Sequence, residues 1–114
     1  MLIAGNRVDT PLNLIGTCEG QNLPFNLREG ARGHVLVDAG GSPNNVRTIP
    51  ERAGQIEGEV AAGDWFDVMM GPECHDGIAW WMIDHPNVQG WMAAGVDDTY
   101  FVAPGCGGPT CGRG

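Results

Sequence analysis

Cys74 and His75 stand side by side, and a thiol next to an imidazole is the pair from which a cysteine nucleophile is built. Such a pair works only when the two side chains converge and a third group orients the base. Adjacent residues on a strand or turn point apart instead, and no second layer in the sequence supplies a pocket around them. A serine nucleophile has less to offer, because the one serine, Ser42, is wedged between Gly41 and Pro43. The chain has no lysine, which excludes Schiff-base chemistry and a phosphate-loop lysine. His34, His75 and His85 with Cys74, Cys106 and Cys111 carry metal-binding atoms, but no pair shows the short Cys-x-x-Cys or His-x3-His spacing of a zinc site. Asp76 and Asp97-Asp98 offer oxygen ligands without the loop pattern of a calcium site, so they read as solvated turns. The expectation is a chain with no catalytic residue, no metal and no cofactor.

The remaining chemistry of the cysteines is oxidation. Four cysteines in 114 residues with 19 glycines and a net charge of -8 read as disulfide partners. Three pairings are open to four cysteines. Disulfides belong to an oxidising compartment, yet Met1-Leu2-Ile3-Ala4 lacks the charged start and the length of a secretion signal. The expectation is therefore an exported fragment, extracellular or of the cell envelope, whose signal lies upstream or was removed. The acidic balance opposes nucleic acid and anionic lipid as partners. No apolar run approaches the length of a membrane-spanning helix, so membrane insertion is not expected.

What positions these residues is a set of short strands. A chain of 114 residues has room for one small domain, which buries proportionally little surface and leans on aromatics and cross-links. Three of the four tryptophans lie between Gly77 and Ala93, where two apolar runs flank Pro86-Asn87, and this stretch reads as a β-hairpin. Alternation puts Trp81 and Ile83 on one face and Trp80 and Met82 on the other. One face is expected to build the core and the other to meet a partner. Gly90 before Trp91 lets a large ring or another backbone approach the return strand. Upstream, residues 31–38 alternate as a strand, residues 45–51 read as an extended loop in which Val46 alone is buried, and such a loop can line a binding site. Ile56, Gly58 and Val60 are expected on the buried side of the next strand. Phe66, Val68 and Met70 are expected on the buried side of the strand from Trp65, which Gly71-Pro72-Glu73 closes. Residues 95–99 read as a polar turn and Tyr100-Phe101-Val102 as a last strand stopped by Pro104. No helix of normal length is expected, and the fold class is all-β.

From about Gly33 to Pro104 the order of signals resembles the bacterial Src-homology-3 domain family. The residues that carry the resemblance are Asn45-Val46-Arg47, Ile56 to Val60 with Gly63, Ala79-Trp80-Trp81-Met82-Ile83, Gly90-Trp91 and Tyr100-Phe101-Val102. Gly71-Pro72-Glu73-Cys74 followed by Asp76-Gly77 resembles an exported subset in which another cysteine lies shortly before the first strand, where Cys18 stands. Two positions depart from the family's pattern: Met82 stands where a basic or polar residue is usual, and Thr48-Ile49-Pro50 where Ser-Gly-Pro is usual. The resemblance implies a small five-stranded barrel over 31–104, preceded by an irregular arm over 1–30 and followed by a Gly/Cys-rich tail over 105–114. It implies a Cys18–Cys74 bridge, which leaves Cys106 with Cys111. It also nominates Trp80, Tyr100 and Arg47 for a shallow groove that takes an extended peptide or a glycan.

Two functional classes follow. The first is a non-catalytic recognition module that binds a cell-wall peptide or glycan, or another protein, through the outer face of the Trp80 hairpin. The second is a self-assembling structural subunit of a filament or surface layer, motivated by the arm, the Cys-containing tail and the known route of strand addition at a sheet edge.

Overall fold

The computed structural model describes residues 16–18, 23–37 and 41–105. Its described residues are all-β, with no helix, and fold as a curled antiparallel sheet that forms a half-barrel. The strands, in chain order, are β1 (Arg32–Val35), β2 (Asn44–Arg47), β3 (Ile56–Val60), β4 (Trp65–His75), β5 (Ile78–His85), β6 (Val88–Ala93), β7 (Gly95–Val96), β8 (Thr99–Tyr100) and β9 (Val102–Pro104). Seven of them form one sheet in the order β9-β1-β4-β5-β6-β2-β3, and β7 pairs only with β8.

The expected hairpin is β5–β6, with Trp81 opposite Met92 and Trp80 opposite Ala93. Before it, β4 turns into β5 through Asp76 and Gly77, both at positive φ (60° and 72°), the backbone that a tight two-residue hairpin turn requires. Alternation along β5 is as expected, but both of its faces are buried. Ala79, Trp81 and Ile83 join Met92, Val46, Phe66, Val68 and Val102 in the main core. Ile78 and Trp80 form a second cluster with Trp91 and Ala93, covered by Met82, Val96 and Phe101. The cover is the chain that follows β6. The Ala94 N–H bonds the Ala79 carbonyl, the Phe101 N–H bonds the Ala94 carbonyl, and between them β7–β8 folds back with Val96 and Phe101 against the Trp80 face.

Several boundaries differ from the sequence reading, each for a local reason. Residues 44–47 are a strand rather than a loop, because β2 pairs with β3 on one side and β6 on the other. Val46 is buried there as expected, and Asn44 is buried beside it. The approach of β2 to β6 depends on Gly90, where a Cβ would stand 2.6 Å from the Arg47 carbonyl oxygen and 2.8 Å from Val46 Cγ1. Ile56 is 49% exposed rather than buried, because the register between β2 and β3 skips Glu57 and reverses the alternation beyond it. Likewise β4 does not stop at Met70. It runs through Gly71-Pro72 to His75 with two register shifts, and the first of these, between Val68 and Met70, puts Met70 in solvent, 48% exposed, while Phe66 and Val68 stay in the core. At the C-terminal end, Tyr100 belongs to β8 and Val102 to β9, with Phe101 breaking the strand between them, and Pro104 lies inside β9.

The described part of the N-terminal arm has a single bridge, Thr17 with Pro24, and no strand. Cys18 and Leu27 nevertheless lie in the main core, and Phe25 meets the edge of Trp81 with ring centroids 6.4 Å apart. A disulfide joins Cys18 to Cys74 across 5.6 Å between Cα atoms and so pins the arm to the end of β4. Such a bond belongs to an oxidising setting. The expected pairing of Cys106 with Cys111 lies outside the described residues. Among the described residues no helix is long and apolar enough to cross a membrane.

Candidate functional site: two adjoining clefts beside β2

The register of β2 decides which of its side chains reach the surface. Val46 faces Met92 and points into the main core, so Arg47, opposite Trp91, emerges on the same side as Trp80. Asn44 is held inward by a bond from Nδ2 to the Ala93 carbonyl at 3.0 Å. Around this strand the surface falls into two depressions. The larger, about 500 Å³, has apolar walls from Val35, Leu36, Pro43, Tyr100 and Phe101. The smaller, about 230 Å³, has an apolar floor of Ile78, Trp80, Ala93 and Val96 under Arg47 and Arg52. Asn44, Asn45 and Phe101 line both, which makes them neighbours across one ridge.

The three residues nominated from the sequence therefore come together, in altered roles. Arg47 and Trp80 line the smaller depression, and Tyr100 lines the larger one. Trp80 was expected to present its ring to a partner, but it is 2% exposed and packed against Ile78, Trp91 and Ala93, with Nε1 donating to the His75 carbonyl at 3.1 Å. It is a floor, not a platform, because β7–β8 covers the face that alternation leaves free. Arg47 is half-buried, and its guanidinium donates to the Gly54 carbonyl at 2.9 Å, which fixes it on the rim. The Tyr100 hydroxyl donates to the Pro24 carbonyl, so its ring is tied to the arm, and burial raises its pKa above the ordinary 10.0.

Three contributors were missed by the sequence reading. Arg52 sits in the connection between β2 and β3, one residue beyond the 45–51 loop that the sequence suggests as able to line a site. Phe101 reads from the sequence as part of a continuous strand; it stands instead in the break between β8 and β9 and lines both clefts. Asn45 is one of the residues that carry the resemblance, but the sequence reading assigns it no role.

The other chemical candidates lie apart. Cys74 is bonded to Cys18 and is not a thiol beside His75. Trp65, the most accessible tryptophan, is already stacked under the Arg32 guanidinium at 3.9 Å, and Arg32 in turn pairs with Asp67 at 3.0 Å. Among the described residues no three His, Cys, Asp or Glu side chains converge as metal ligands would. No protein-family model, curated protein or solved structure matches the chain.

Proposed function

We propose that the protein is a non-catalytic recognition module of the cell envelope or extracellular space, binding an extended peptide segment in the two clefts beside β2. The observation that carries this reading is the meeting of Arg47, Trp80 and Tyr100 around adjoining depressions of about 500 and 230 Å³. Apolar clefts with a few fixed polar groups on the rim are the usual form of a small binding site. A peptide suits them better than a glycan. Sugars stack on free aromatic faces, whereas Trp80 is buried, Trp65 lies under Arg32 and Tyr100 is tied to Pro24. The ordered motifs from Asn45 to Val102 support placing the curled sheet with the bacterial Src-homology-3 barrels, and the Cys18–Cys74 bond supports export.

The alternative of a self-assembling subunit draws less support from the sheet edges. Edge strand β3 carries exposed Glu57 and Glu59, charges that oppose edge-to-edge pairing. At the other edge, Asn26 Nδ2 donates to the Val102 carbonyl at 2.8 Å, and β9 ends in a proline with no N–H to offer.

Amide chemical shifts of the oxidised full chain, followed while cell-wall stem peptides or short protein-derived peptides are added, test the reading. Shifts are expected at Asn45, Arg52, Thr99 and Phe101. Shifts confined to the Arg32–Trp65 face, or polymers in light scattering with no peptide response, overturn it.

A further inference from the structure

The smaller cleft has a charge opposite in sign to that of the chain as a whole. The chain is acidic overall, at -8, yet two arginines and no carboxylate line this depression. Neither Arg47 nor Arg52 makes an ion pair among the described residues, in contrast to Arg32. Asp76 accepts from the Arg52 backbone N–H at 3.0 Å rather than from its guanidinium. Arg47 is oriented by a neutral carbonyl, which spends one N–H and neutralises nothing. Two unpaired guanidinium groups over an apolar floor of Ile78, Trp80, Ala93 and Val96 favour an anion that brings an apolar group with it.

On the reading that these clefts bind peptide, we infer that the partner is an extended peptide with a free C-terminus and an apolar last residue. Its α-carboxylate lies against Arg47 and Arg52, its last side chain rests on the Trp80 floor, and an upstream apolar side chain enters the larger cleft at Tyr100 and Phe101. A C-terminal residue carries a carboxylate and a side chain on one carbon, which is the combination that a depression of about 230 Å³ presents. An internal Asp or Glu supplies the carboxylate but uses its own side chain to do so, leaving the apolar floor empty. Arginine is the residue suited to this role, since its planar fork meets both oxygens of a carboxylate.

Two matched sets of acetylated hexapeptides ending in Ala, Val or Leu, one with free carboxylates and one amidated, are titrated against the oxidised full chain and against Arg52→Ala. Arg52 is exposed, so its replacement leaves the fold intact. The free acids are expected to bind, with amidation weakening them about tenfold or more, as for loss of a charge-assisted bond. Arg52→Ala is expected to remove most of that difference by weakening the free acids far more than the amides, the signature of a direct coupling. Equal binding of acids and amides at the clefts refutes the carboxylate and leaves peptide recognition standing. Amides with an internal Asp that match the free acids refute the terminal residue. If neither set binds the folded chain, the inference and the peptide reading fall together.

Discussion

Trp80 and Trp81 are adjacent, equally buried at 2% exposure, and differ in the fate of one hydrogen atom. Trp80 Nε1 donates to the His75 carbonyl, whereas Trp81 Nε1 is buried without a partner among the described residues. Replacing either with Phe reduces two fused rings to one and should cost roughly 1 to 2 kcal/mol in lost burial and packing. For Trp80 the loss of its hydrogen bond adds about 1 kcal/mol, giving a total near 2 to 3 kcal/mol. For Trp81 the same substitution removes an unsatisfied donor whose burial costs about 1 to 3 kcal/mol, so the two effects cancel to about zero. The expectation is that Trp80→Phe lowers the midpoint of urea unfolding clearly and Trp81→Phe hardly at all, with unchanged slopes in both. A Trp81→Phe variant as destabilised as Trp80→Phe would refute the assignment of the orphan N–H. Both Ala variants should cost about 3 to 5 kcal/mol, because each ring anchors its own cluster.

Removing the Cys18–Cys74 bond as a double Ala variant should cost about 4 kcal/mol in the chain-entropy model for a sequence separation of 56, read from denaturant midpoints against the oxidised parent. Peptide mapping without reductant should find Cys18 joined to Cys74, and a Cys18 peptide linked elsewhere would refute the pairing. Because the folded pKa of Tyr100 is raised, its contribution is fully present below the unfolded value near 10 and is lost as pH rises through the folded value. Stability should therefore fall above pH 10, and Tyr100→Phe should flatten that limb of the profile.

What the sequence made legible was local and periodic. The hairpin at Pro86-Asn87, the division of Trp81 from Trp80, the burial of Val46, Phe66 and Val68, and the absence of helix among the described residues all follow from alternation and turn chemistry among near neighbours. What it hid was register. A single extra residue reverses every inward side chain beyond it, and nothing in Ile56-Glu57-Gly58 or Val68-Met69-Met70 marks which residue the ladder skips. Both mistaken core assignments, Ile56 and Met70, lie just past such a shift. The polar, proline-flanked stretch at Asn44–Arg47 reads poorly as a strand because its pairing comes from partners on both sides rather than from its own propensity.

The site follows from the same long-range geometry. A resemblance nominated Arg47 and Trp80, but alternation alone leaves Trp80 in solvent, and only the return of Val96 and Phe101 over its face changes it from a contact into a floor. Gly90 governs the arrangement although it lines neither cleft. Without a Cβ it lets β2 pass within reach of β6, and that pairing sets Arg47 opposite Trp91 and turns it toward the Trp80 side. A side chain at Gly90 would meet the Arg47 carbonyl before any ligand could meet the guanidinium. The geometry of the cleft therefore depends on a residue that does not line it, and replacing the arginine and replacing the glycine alter the cleft by different physical routes: one removes a charge, the other moves the strand that carries it.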